Sequence, residues 1–198
     1  RINPRLPEVW YNRAGVRQKQ NDFAGALTDF TQAINRQPNY EKALFARGEL
    51  YLTQHSYEAA HADFTTFIRL NPRAGSAYNN RGMALYGLGK TAEAIQDFSQ
   101  AIALEAAPRH LAAAYRNRGK VRLDYGELNL AIADFTAAIK NDPTFALAYA
   151  NRGIAHLRQG EFTAADQDFA RCLQLDPSLA TALQEAIHKV KEQPKHQQ

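Results

Sequence analysis

One cysteine, Cys172, occurs in 198 residues. An internal disulfide framework is therefore excluded, although a lone thiol says little about compartment. Long apolar runs are also missing. None approaches the roughly 18–20 residues that a membrane-spanning helix needs. Basic residues exceed acidic ones by a net charge of +4, spread along the chain, and no three basic residues stand in a row. Nucleic-acid recognition usually shows clustered Lys and Arg, so nucleic acid is not an expected partner. The sequence has no G-x-S-x-G, no phosphate-cradling glycine loop and no H-E-x-x-H. Its six histidines (His55, His61, His110, His156, His188 and His196) fall at unrelated places without metal-ligand spacing. No enzymatic activity, metal or cofactor is expected.

What is present is repetition. Arg13, Arg47, Arg81, Arg118 and Arg152 follow one another at steps of 34, 34, 37 and 34 residues. Each is followed by Gly, or by Ala in the first case. Each has a large residue three positions earlier: Trp10, Leu44, Tyr78, Tyr115 and Tyr149. An Ala-x-x-x-Phe follows every time, at Ala26/Phe30, Ala60/Phe64, Ala94/Phe98, Ala131/Phe135 and Ala165/Phe169. Prolines 38, 72, 143 and 177 close four of the five units. In the first unit Ala26, Phe30, Ala33 and Ile34 have i, i+4, i+7, i+8 spacing, that of an apolar helix face. Each unit thus reads as two antiparallel helices, A and B, joined by a short turn. In the first, helix A runs from about Glu8 to Gln20 and helix B to about Arg36.

The period and its anchors resemble the tetratricopeptide repeat (TPR) family, whose pattern is W-x2-L-G-x2-Y, A-x3-F and P. The resemblance implies an all-α, right-handed α-solenoid of five helix-turn-helix repeats, spanning about 7–40, 41–74, 75–111, 112–145 and 146–179. A capping helix follows at about 179–192, and the whole, 1–198, reads as a single domain. Leu183, Ile187 and Val190 would cover helix B of the fifth repeat, with Gln184, Glu185, Lys189 and Lys191 in water, as an array terminus requires. The final Pro-Lys-His-Gln-Gln reads as a frayed tail. Arg1-Ile2-Asn3-Pro4 matches Arg69-Leu70-Asn71-Pro72, the end of a repeat, so the sequence reads as a fragment of a longer protein. The NRG and DFTxAI units resemble bacterial members.

Local deviations carry expectations too. Mid-helix Gly48, Gly82, Gly119 and Gly153 cost about 1 kcal/mol each against Ala, which points to close helix approach. Phe67 stands where other repeats have Ala or Cys, so packing there should be looser or shifted. The three extra residues near 105–111 should lengthen helix B of the third repeat or widen the next turn.

The repeats depart from the family pattern in one systematic way. Arg replaces the Leu before the Gly, and an Asp precedes each helix B Phe: Asp29, Asp63, Asp97, Asp134 and Asp168. Arg and Asp are 16 residues apart in every copy. A guanidinium fork can hold a carboxylate through two bonds, so a row of partly buried salt bridges is expected.

The resemblance implies that A helices line a concave groove, where partner peptides lie. Asn12, Asn80, Asn117 and Asn151 precede the repeated Arg, with Ala46 at the gap. An amide can both donate to and accept from a peptide backbone. The row is similar to the asparagine ladder in the TPR region of O-linked N-acetylglucosamine transferases; the alternative is amides that bond within their own helix or to water. Tyr11, Lys42, Phe45, Asn79, Tyr86, Arg116 and Lys120 complete the expected peptide-binding face, with Glu49, Met83, Leu123, Asp124 and Arg158 nearby. The defined Lys/Asn, Asn, Lys/Arg set that clamps a chaperone's chain end is missing from any three consecutive repeats. The expected function is a non-catalytic protein–protein interaction module that binds an extended segment of another protein. The alternative is a structural scaffold that self-associates through its amino-terminal end. No membrane insertion is expected. The compartment stays open between cytoplasm and periplasm, with tethering through upstream sequence as a third option.

Overall fold

Every segment with a 3.6-residue apolar period becomes a helix, and no strand occurs among the described residues, 6–192, of this computed structural model. The chain divides at Leu104/Glu105 into two compact units. The first contains α1 (Pro7–Lys19), α2 (Phe23–Arg36), α3 (Glu41–Thr53), α4 (Tyr57–Leu70), α5 (Gly75–Gly87) and α6 (Thr91–Leu104). The second contains α7 (Pro108–Asp124), α8 (Leu128–Asn141), α9 (Ala146–Gln159), α10 (Phe162–Leu175), a 3-10 turn (Pro177–Leu179) and α11 (Ala180–Glu192). Odd-numbered helices through α9 are the A helices and the even-numbered ones the B helices. The expectations for residues 1–4 and 194–198 lie outside the described residues.

Each B helix buries one narrow stripe. In α2 it is Ala26, Asp29, Phe30 and Ala33, and the equivalent positions recur in α6, α8 and α10. The Phe of each stripe presses on the small residue of its A helix. A Cβ added at Gly82 would lie 2.8 Å from the Phe98 ring, and one at Gly119 equally close to Phe135. Glycine allows the close approach expected from the sequence. The first repeat achieves the same contact with Ala14, which is fully buried.

The turns from A to B share one geometry. Asp22 N–H donates to Arg17 O, Ser56 to Tyr51, Lys90 to Leu85, Glu127 to Arg122 and Glu161 to His156, all at 2.9 Å. This closure needs a left-handed residue just before. Gly89, Gly126 and Gly160 supply it, while Asn21 and His55 adopt it at φ 60° and 56°.

The expected salt bridges form in all five repeats, within each hairpin. Arg Nε and Nη2 donate to the two oxygens of the Asp at 2.7–3.0 Å. The carboxylates are buried; Asp29 is 0% exposed and the most open, Asp97, 6%. The hydrogen bond to the carboxylate, ahead of the opposing effect of burial, raises the pKa of Arg81 and Arg152. The large residue three positions before each Arg now has a reason. Trp10, Tyr78, Tyr115 and Tyr149 lie under the guanidinium at 4.6–5.7 Å. In the second repeat, where Leu44 stands there, Tyr51 takes over at 5.7 Å. These arginines can also tie hairpins together: Arg47 Nη1 donates to Thr31 on α2 and Arg152 Nη1 to Thr136 on α8.

One local expectation resolves differently from the sequence reading. The three extra residues neither lengthen α6, which has 14 residues like the other B helices, nor widen the turn after it. They give α7 an extra first turn, for 17 residues in all. Pro108 starts that turn, and Glu105 Oε1 accepts from the amides of Ala106 and Ala107 at 3.0 and 2.9 Å. Pro is pre-shaped for the first helical position, which is why the insertion extends a helix forwards. Phe67 shifts its repeat, as expected: it is half-buried against Phe45, with ring centroids 5.1 Å apart, and Ile68 takes the buried place that Ala or Cys holds one residue earlier in the other B helices. At the carboxyl end Leu183, Ala186, Ile187 and Val190 pack on a cluster that includes Leu157, Phe169 and Cys172, while Gln184, Glu185, Lys189 and Lys191 are exposed.

Asp97→Ala should lower stability by about 3–5 kcal/mol in urea titration, because it strands an enclosed guanidinium; a loss under about 1 kcal/mol would show the pair to be effectively solvent-exposed. Arg13→Ala should cost less than Arg81→Ala, since Arg13 is 50% exposed and Arg17 Nη1 remains 3.2 Å from Asp29. Gly160→Ala should cost about 1 kcal/mol through its left-handed backbone, although its Cβ would meet nothing within 4 Å. An unchanged melting temperature would mean that the turn relaxes to another closure.

Candidate peptide-binding face

The residues expected to bind a partner sit on the A helices of both units, but their freedom to do so differs. Asn12 is exposed on α1, while Asn80, Asn117 and Asn151 are half-buried on α5, α7 and α9. In the first unit Asn80 is already engaged. Asn79 Nδ2 donates to its Oδ1 at 3.3 Å, and Asn80 lies beside the Glu49 carboxylate of α3. Partial enclosure raises the Glu49 pKa, and the bond from Asn80 opposes that rise. Asn79 and Asn80 thus join neighbouring A helices, with Met83, 41% exposed, beside them.

The aromatic residues expected as anchors lean into the core. The Tyr11 ring lies 5.9 Å from Phe30 and meets Tyr40 edge-on at 5.6 Å. Phe45 meets Phe64 edge-on at 5.6 Å. Both are half-buried and can offer one ring edge outward. Tyr40, which the sequence reading did not single out, completes this corner. Burial first, then the Glu8 and Tyr11 charges, raises its phenol pKa. Lys42 is exposed on the first turn of α3, and Tyr86 is half-buried on α5.

The second unit carries the cationic residues. Arg116 Nη1 donates to Asn117 Oδ1 at 3.2 Å. Lys120 is in contact with Asp124 one turn further along α7. Arg158 Nη1 donates to Leu123 O at 2.9 Å and straps α9 to α7. Leu123 itself is 2% exposed and belongs to the core. Two polar atoms on this face, Arg116 Nε and Asn151 Nδ2, are buried without a hydrogen-bond partner.

Two arginines escaped the sequence reading as members of the ion-pair row. Arg17 lies 3.2 Å from Asp29, and Arg122 Nη1 donates to Asp134 at 2.8 Å. The signal was present: each stands four residues after the repeated Arg, on the same helical stripe. His156 Nδ1 lies 2.5 Å from Glu161, closing the α9–α10 turn. The buried Cys172 thiol is pushed up in pKa chiefly by desolvation, as in an inert packing residue. Among the described residues no group of three or more His, Cys, Asp and Glu is placed to hold a metal.

Four family models match the chain. Those described as tetratricopeptide repeat cover residues 7–40, 45–110 and 146–179, and one described as TPR repeat covers 119–160. Human tetratricopeptide repeat protein 13 is 32% identical over 101 residues, which is 51% of this chain and 12% of that protein. The chain thus spans about an eighth of that relative's length. A crystal structure of MamA is 26% identical and superposes with a TM-score of 0.73, covering 85% of this chain and 96% of MamA. YrrB, solved as a TPR protein with an unusual peptide-binding site, is 21% identical with a TM-score of 0.67, covering 92% of this chain and 90% of YrrB.

Proposed function

Because the chain belongs to the tetratricopeptide repeat family, whose members mediate protein–protein interaction, we propose that its A helices receive an extended segment of another protein. The observation that carries this reading is the asparagine at one fixed place on four of the five A helices, directly before the repeated Arg. Amides in a row can bond a peptide backbone without reading its side chains. Asn12 is exposed, and Asn151 Nδ2 has no hydrogen-bond partner among the described residues. Asn79, Lys42 and Tyr86 in the first unit, and Arg116 and Lys120 in the second, supply selectivity around that backbone contact. The ring edges of Tyr11 and Phe45 are apolar ground for side chains of the bound segment. YrrB supplies an instance of this fold with a peptide-binding site.

Self-association through α1 is the second reading, and one observation favours it. Val16 is 54% exposed, whereas its counterparts Leu50, Ala84, Val121 and Ala155 are at most 2% exposed. Sedimentation of wild type and Val16→Asp separates the two readings, since a concentration-dependent dimer lost in the variant would favour the scaffold.

The peptide reading is tested with short random peptides displayed on phage and selected on the 198-residue chain. Selected peptides should bind Asn80→Ala/Asn117→Ala about tenfold or more weakly, from two lost hydrogen bonds of about 1 kcal/mol each. The melting temperature should stay close to that of wild type. Equal affinity for wild type and variant would move recognition off the A helices.

A further inference from the structure

The A helices carry four acids, Glu8, Glu41, Glu49 and Asp124. Three of them are compensated. Glu8 and Glu41 lie in the first turns of α1 and α3, where the helix dipole favours negative charge. Asp124 contacts Lys120. Glu49 has neither form of support. It stands beyond the middle of α3, and the nearby Arg47 is committed to Asp63. No cation acts on its carboxylate: partial enclosure raises the pKa, and the opposing influence is the neutral amide of Asn80 on α5. The residue is nevertheless exposed, so its outer side is open to a ligand. The space along the helix beside it is also clear. One repeat earlier, 34 residues back, the places of Glu49 and Asn80 are held by Gly15 and Ala46. A Cβ added at Gly15 would meet nothing within 4 Å. Ala46 and the half-buried Phe45 stand three and four residues before Glu49, hence on its own stripe of α3.

A partly enclosed carboxylate without a counter-ion gains most from a cation that also brings hydrogen bonds. We infer that Glu49 is a subsite for one basic side chain, lysine or arginine, of the segment bound on the A helices of the first unit. This rests on the peptide reading above. Lysine and arginine combine an apolar stem with a charged head, and the surface offers ground for both parts. The stem lies over the Ala46 methyl and the edge of Phe45, beside the open place at Gly15. The head then meets the outer side of the carboxylate. Asn80 need not be displaced, because a carboxylate has more acceptor sites than one amide uses. The subsite also accounts for the break in the asparagine row. Of the five A helices, the one with Ala in place of Asn is the one with this acid, and an asparagine at position 46 would stand in the path of the stem.

The test selects short random peptides, displayed on phage, on wild type and on Glu49→Gln, and records thermal unfolding of both proteins. The expected result is a Lys or Arg at one fixed position among peptides selected on wild type. The net charge of +4 disfavours basic peptides in general, so such a position reports a local acid. Replacing that Lys by norleucine, or that Arg by citrulline, should weaken binding to wild type about tenfold or more. On Glu49→Gln the charged and uncharged peptides should bind alike, with residual affinity. The variant should melt no lower than wild type, because the acid has no ion pair to lose. Peptides selected without a fixed basic residue, or with the same preference on Glu49→Gln, would overturn the subsite and leave the peptide reading standing. A large fall in melting temperature, with all peptides lost whatever their charge, would make Glu49 a structural residue and overturn the subsite. Selection of no peptide by wild type would overturn the peptide reading and the subsite with it.

Discussion

A carboxylate buried between two helices constrains everything around it. Each Asp of the B helices is almost fully enclosed, and an enclosed charge is tolerable only beside its partner. That partner is the Arg 16 residues earlier on helix A, bound through two parallel hydrogen bonds. Turning a B helix by one residue, about 100° of rotation, would pull the Asp from the fork and the following Phe from the small residue it faces. The pair and the Phe–Gly contact therefore specify one register together. The aromatic ring beneath the guanidinium adds to this, because it shields the outer face of the Arg without competing for its donors.

The same accounting separates the two sides of each A helix. Toward its B helix, forks meet carboxylates, and in the second and fifth repeats a spare donor reaches a threonine of the preceding hairpin, although Arg122 Nε, next to the Asp134 that its Nη1 binds, has no hydrogen-bond partner. On the asparagine side the matching is incomplete. Asn79 donates to Asn80 beside the Glu49 carboxylate in the first unit, whereas Arg116 Nε and Asn151 Nδ2 in the second have no hydrogen-bond partner. Buried polar groups in native proteins nearly always have partners. The exceptions among the described residues fall on the asparagine side and off it: Asn71 Nδ2 lies at the end of α4 and Arg122 Nε toward α8.

Much of this was legible before any coordinates. The hairpins, the Phe stripe, the small residues facing it and the ionic row all recur with the repeat period, and periodicity fixes position on a helix face. Less legible was whatever depends on a single copy. The extra residues near 105–111 could have gone to α6 or to the turn, and Pro108 decided the matter for α7. Tyr11 and Phe45 occupy positions that face a partner by period, yet Tyr40, Phe64 and Phe67 draw their rings inward. Arg17 and Arg122 join the ion pairs in two repeats, where Tyr51 and His156 hold that place in two others. A period tells which face a side chain leaves from. It does not tell which neighbour it finds there.

This division also bears on selectivity. Positions facing the B helix hardly change from copy to copy: Arg, Gly or Ala, Asp and Phe. The position two before the repeated Arg changes every time, from Tyr11 to Phe45, Asn79, Arg116 and Ala150. The constant set holds the hairpin and can be altered only as a matched pair. The variable position touches neither the carboxylate fork nor the turn, so it can take different chemistry without disturbing the register. The first unit there presents two aromatic rings and an amide; the second presents a cation and a methyl group. Within either unit, a segment held as proposed on the asparagines would meet a backbone contact that repeats and a side-chain environment that does not, and the second is what allows one sequence to be chosen over another.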